Sequence, residues 1–159
     1  MTIRILCVGK LKERYFLEAE AEFLKRLKRF GTAEVVEVAD EKAPETLSPM
    51  EQAKVKDREG ERLLARIAEG DRVIALVIGG RRYTSEKFAE RLQALRDAGT
   101  RSIAFVIGGS LGLSDAVLKR ASETLSLSDM TLPHRIARLV LLEQVYRAHK
   151  ISAGEPYHK

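Results

Sequence analysis

Two glycine pairs close apolar runs in this chain: Gly79-Gly80 after residues 73–78, and Gly108-Gly109 after residues 103–107. A glycine pair at the carboxyl end of a strand lets a ligand approach the backbone closely. Open α/β sheets bind ligands in the loops beyond those ends. The competing reading is a pair of tight turns. Gly108-Gly109-Ser110-Leu111-Gly112 is not G-x-G-x-x-G, and G-x-x-x-x-G-K-[ST] does not occur, so neither phosphate-binding fingerprint is present. A second stretch, Leu127-Ser128-Asp129-Met130-Thr131-Leu132-Pro133-His134, carries Leu, Met and Leu where a solvated loop would be polar. Such a loop either walls a pocket for a flat or apolar ligand, with backbone groups as hydrogen-bond partners, or packs as a buried turn. The histidines His134, His149 and His158 and the single cysteine Cys7 show no metal-ligand spacing, so no metal is expected. Cys7 reads as a small core residue. No serine stands in G-x-S-x-G.

The elements that must position these residues alternate strand-like and amphipathic runs, the pattern of an α/β fold. Strands are expected at 3–8, 33–38, 73–78, 103–107 and 123–127. The runs at 73–78 and 103–107 are apolar without alternation, as in parallel strands covered on both faces. Ser48-Pro49-Met50-Glu51 opens a helix: Ser48 caps it, Pro49 takes the first turn and Glu51 completes a capping box. Helices are also expected over 15–30, 85–98 and 114–121. A long final helix runs from Pro133 to about Ile151. Its middle, Leu139-Val140-Leu141-Leu142-Glu143-Gln144-Val145-Tyr146, is apolar on more than one side. Either a second subunit covers it, through an isologous interface that Leu142→Glu would weaken, or it is sandwiched within one chain.

The 159 residues make a single domain, 1–159. Lys and Arg exceed Asp and Glu by 5, yet residues 34–71 hold 11 acids against 6 bases. A basic body with an acidic arm suits a polyanionic partner, although solvated helix faces would give the same count. One cysteine excludes an intrachain disulfide and fits a reducing compartment. No apolar run reaches the ~18 residues of a membrane span, and the first residues lack a signal-peptide layout. A soluble cytoplasmic protein with no membrane partner is expected.

The segments Val106-Ile107-Gly108-Gly109-Ser110-Leu111-Gly112-Leu113, 125–134, Glu143-Gln144-Val145-Tyr146-Arg147-Ala148 and the ending Pro156-Tyr157-His158-Lys159 resemble the RlmH family, as do Val8-Gly9-Lys10-Leu11-Lys12-Glu13 and Asp40-Glu41-Lys42-Ala43-Pro44-Glu45. The resemblance spans the chain. It implies a small SPOUT methyltransferase: an open, mostly parallel α/β sheet flanked by helices, with a C-terminal trefoil knot and a homodimeric assembly. It further implies that S-adenosyl-L-methionine binds at Leu76, Gly108, Leu127, Ser128, Asp129, Met130, Thr131 and Leu132. The implied substrate is a pseudouridine in the helix 69 hairpin of 23S ribosomal RNA, methylated at N3 on the assembled ribosome. Where some relatives carry Pro-Glu after the double glycine, this chain has Ser110-Leu111.

Methyl transfer to an imide nitrogen requires loss of its proton and alignment of the reacting atoms. Tyr157, His158 and Arg147 are the catalytic candidates. Tyr157 could stack on the base, Arg147 could stabilise negative charge, and His158 could take the proton as a histidine near neutrality. Arg135, Arg138 and Lys150, on or beside the final helix, are candidate RNA contacts, with Lys10, Lys12 and Arg14 as a second basic group. Gly108 is expected to stay small because a side chain would enter the cofactor space. Readings of other classes are a non-catalytic ribosome-binding factor and a nicotinamide oxidoreductase, the latter lacking its glycine fingerprint.

Overall fold

The computed structural model describes residues 1–157. Strands and helices alternate throughout: β1 (Thr2–Val8), α1 (Arg14–Leu27), β2 (Ala33–Val38), α2 (Pro49–Leu64), β3 (Arg72–Arg81), α3 (Ser85–Asp97), β4 (Ser102–Ile107), α4 (Asp115–Arg120), β5 (Glu123–Leu125) and α5 (His134–Ser152). The strands form one sheet in the order β2-β1-β4-β3-β5, and every strand pair is parallel. Period-2 alternation divides each strand between two cores. Ile3, Ile5 and Cys7 of β1 join Phe105 of β4 under α1, α3 and α5, while Leu6 and Val8 join Val106 under α2 and α4.

Local signals set several boundaries. The Ser48 hydroxyl accepts from the Glu51 amide at 3.2 Å, and the Glu51 carboxylate accepts from the Ser48 amide at 2.8 Å, so the capping box closes. Thr84 and Ser114 cap α3 and α4 through their hydroxyls alone, which accept from the Lys87 and Val117 amides. Gly60 in α2 lies where a Cβ would come within 2.2 Å of the Ser114 hydroxyl, so its lack of a side chain lets α2 pack against the start of α4.

Two expectations need correction. Gly79-Gly80 does not end its strand: β3 continues to Arg81 through a register shift against β5. The reason is close approach, since a Cβ on Gly80 would sit 2.6 Å from the Leu125 carbonyl carbon. The apolar girth of α5, in turn, does not require a second subunit. The helix lies on the sheet between α1 and α3, and Leu141, Leu142 and Val145 are each 0% exposed within one chain. Leu142→Glu would therefore unfold the chain and report nothing about association. The outward stripe of α5 is instead Ile136, Val140, Glu143 and Arg147, at i, i+4, i+7 and i+11. No described helix is long and apolar enough to cross a membrane.

Candidate active site

The connections leave β1 and β4 in opposite directions, so the sheet has its switch point between them, where open α/β sheets bind ligands. A cavity of about 580 Å³ opens beside it, at the carboxyl ends of β3, β4 and β5. Three segments wall it: 76–78 of β3, 107–113 after β4, and 125–134 leading into α5. Its volume lies within the ~300–1,000 Å³ range of small-molecule sites.

The wall after β4 is a tight turn of nearly bare backbone. Gly109 and Gly112 form an isolated bridge, and the Gly112 amide donates to the Gly109 carbonyl at 3.1 Å. Gly112 has φ +87, a left-handed conformation that glycine adopts without strain. A Cβ on Gly108 would lie 2.6 Å from the Gly112 carbonyl carbon. Gly108 must therefore be small chiefly to let its own turn close, which corrects the expectation that the cofactor space alone demands it.

The loop before α5 is held by its own hydroxyls. Ser126 Oγ donates to the Ser128 carbonyl at 3.0 Å, and Ser128 Oγ accepts from the Met130 amide at 3.0 Å. Leu127, Ser128, Met130, Thr131 and Leu132 line the cavity with Leu76 and Gly108, so seven of the eight residues expected around the cofactor come together. Asp129 does not line it; its carboxylate ion-pairs with Arg82 at the surface. The apolar side chains beside a glycine-rich backbone suit a flat heterocycle, so the cavity fits S-adenosyl-L-methionine as the resemblance implies.

The tail candidates form a separate cluster. Tyr157 donates from its hydroxyl to Glu143 Oε1 at 3.1 Å, and Arg147 donates to the same oxygen at 2.6 Å while its guanidinium lies 4.7 Å from the Tyr157 ring centre. Burial, and then the Glu143 charge, push the Tyr157 hydroxyl above its usual range. Neither residue lines the cavity. His134 at its edge and Arg147 are thirteen residues apart on α5, about 20 Å at 1.5 Å per residue. His158 lies outside the described residues.

The basic residues on α5 also need correction. Arg138 is 1% exposed and is held by Glu20 and Glu37, so it cannot meet a phosphate in this fold. Lys150 is 9% exposed and paired with Glu155. Arg135 is half-buried and paired with Glu13. These charges hold neighbouring segments: Arg135 anchors the β1–α1 loop through Glu13, and Arg138 supports it through Glu37, which accepts from the Leu11 amide at 3.1 Å. Lys10 and Lys12 on that loop and Arg14 at the start of α1 are exposed, Arg14 being paired with Glu18.

Two residues near the cavity went unassigned at the level of sequence. His134 lines it from the first position of α5. Its signal was its place, ending the apolar loop and opening the last helix. Glu59, 4% exposed, lies under the turn after β4; a Cβ on Gly109 would be 2.8 Å from its Oε2. The signal there was a glycine directly after it in the middle of a helix, which marks close packing.

A family model described as "Predicted SPOUT methyltransferase" matches residues 1–158. The ribosomal RNA large subunit methyltransferase H of Bacillus cytotoxicus is 56% identical over 159 residues, the whole of both chains. Its namesakes from Lacticaseibacillus casei and Listeria monocytogenes are 55% identical over the same span. Among solved structures, a probable methylase family protein from Haemophilus influenzae shares the fold at a TM-score of 0.54 and 16% identity, covering 99% of this chain and 70% of that one. A probable methyltransferase from Bordetella pertussis does so at 0.51 and 17%, covering 92% and 95%. The chain belongs to the SPOUT methyltransferases and, within them, to the ribosomal RNA large subunit methyltransferase H family.

Proposed function

We propose that this protein is a cytoplasmic homodimer that transfers a methyl group from S-adenosyl-L-methionine to N3 of a pseudouridine in the helix 69 hairpin of 23S ribosomal RNA, acting on the assembled ribosome. The observation that carries the reading is the cavity beside the switch point, walled by the glycine turn after β4 and the apolar loop before α5. Leu76, Leu127 and Leu132 would flank the heterocycle of the donor. The backbone of Gly108 and of Leu127, Ser128, Met130, Thr131 and Leu132 would meet its polar edges. The bound donor supplies an electrophilic methyl on a sulfonium centre. The chain's own task is to align the acceptor base, exclude water and receive a proton.

A homodimer is supported by the separation within one chain. Ala137 is the last residue of α5 on the cavity, and Arg147, with Tyr157 packed against it, lies ten residues further along, about 15 Å, so the tail cluster would serve the cavity of a second copy. The outward stripe of Ile136 and Val140 offers the contact, with Ile136 40% exposed. In that arrangement Tyr157 and Arg147 position the base, and His158, next in sequence, is the third candidate. The C-terminal trefoil knot follows from membership of the SPOUT family. RNA contact falls to Lys10, Lys12 and Arg14, with Arg135 beside them. Isothermal titration tests the donor: S-adenosyl-L-methionine binds and NAD does not. Binding of NAD alone would contradict the reading.

A further inference from the structure

Methylation of an imide nitrogen leaves one proton to be placed, and the cavity wall carries one group built to take it. His134 lines the cavity from the first position of α5. Its ring is seated against Gly9, where a Cβ would lie 3.4 Å from Nε2, so the residue after β1 gives the imidazole its place. Gly9 has φ +88, which a residue with a side chain rarely adopts. We propose that His134 is a catalytic residue that accepts the imide proton of the target base; the proposal rests on the function argued above.

The imide N–H bond breaks and its proton passes to an imidazole nitrogen. The freed electron pair forms the new N–C bond with the donated methyl, and the C–S electron pair returns to sulfur. The imidazolium then releases its proton to solvent.

The surroundings keep the ring ready to accept. Burial first, then the charges of Arg135 and Arg138 on its own helix, hold His134 below the usual histidine range. The positive end of α5 acts in the same direction. Asp40 after β2 and Glu13 on the β1–α1 loop pull the other way but do not reverse it. Arg138 is tied to Glu20 and Glu37, and Arg135 to Glu13, so these cations are fixed neighbours. A ring that is neutral at pH 7 offers a lone pair, which an imidazolium would not.

The test compares wild type with His134→Gln. Single-turnover transfer to purified ribosomes is measured at saturating S-adenosyl-L-methionine across pH, with donor affinity from calorimetry and the His134 midpoint from NMR titration of the full chain. His134→Gln is expected to bind the donor within about threefold of wild type and to transfer about 10²–10⁴-fold more slowly. The wild-type rate should rise with pH and level off at the NMR midpoint, a bend the variant lacks. Transfer by the variant within about threefold of wild type, or a wild-type bend away from that midpoint, would overturn the role of His134 while leaving the function intact. Should the variant fail to fold, the two wild-type curves decide alone. No transfer by the wild type at any pH would overturn the function reading, and this proposal with it.

Discussion

The guanidinium of Arg138 serves two carboxylates, Glu20 on α1 and Glu37 on β2, from a position 1% exposed. Removing one partner of a buried ionic group strands the others, at a cost of roughly 3–5 kcal/mol. Arg138→Ala should therefore lower the urea midpoint by that equivalent; an unchanged midpoint would show that the pairing contributes nothing. Glu59 presents the opposite case, a buried carboxyl whose Oε1 accepts from the Glu41 amide while Oε2 has no partner among the described residues. Burial, reinforced by Asp40, raises its pKa in the folded state. The folded chain then holds a proton that the unfolded chain has lost, so stability falls as pH rises from the unfolded value of about 4.3 to the folded one. Glu59→Gln removes that loss. Its melting temperature should match wild type at acid pH and gain on it as pH rises through the window; a difference that shrinks with rising pH would contradict the assignment.

At the scale of elements, the β1–α1 loop and α5 are tied together by Glu13–Arg135 and by Gly9 against His134, so the loop braces the start of α5 where it meets the cavity. The outward stripe of α5 carries the association prediction. Ile136→Glu places a charge on a residue 40% exposed in one chain, so folding should survive. Light scattering should then show the wild type at twice the chain mass and the variant shifted toward one; a wild type at one chain mass would refute the homodimer. Most elements were legible in the sequence because their signals are local: the Ser48 capping box, the β-branched run of β2 and the unbroken apolar runs of β3 and β4. Gly79-Gly80 misled because a glycine pair marks a turn and a tolerated close crossing equally well. The girth of α5 misled because apolar periodicity counts what is covered and does not name the cover, here α1, α3 and the sheet. The cavity residues were legible where they are contiguous, in the glycine turn and the apolar loop. Arg138 and Lys150 were misassigned because sequence records a charge without its burial, and His134 and Glu59 became visible only once four segments met.

For the whole molecule, the charge excess of 5 is small beside its distribution, since an acidic stretch at 34–71 offsets a basic remainder. Lys10, Lys12 and Arg14 lie exposed on the cavity's side of the sheet. If they meet phosphates, log affinity for ribosomes should fall by about 0.7–0.9 per contact for each tenfold rise in salt. Replacing Lys10 and Lys12 by alanine should reduce that slope by nearly two contacts, and an unaltered slope would move the RNA surface elsewhere. The activity that joins these scales is methyl transfer to one base of the large ribosomal RNA. The most direct measurement incubates purified ribosomes lacking the modification with this protein and S-adenosyl-L-methionine, then reads the helix 69 fragment by mass spectrometry. The account predicts a single added methyl on a pseudouridine of that hairpin, with free 23S RNA modified far more slowly. An unmodified hairpin, or a methyl on any other nucleotide, would contradict it.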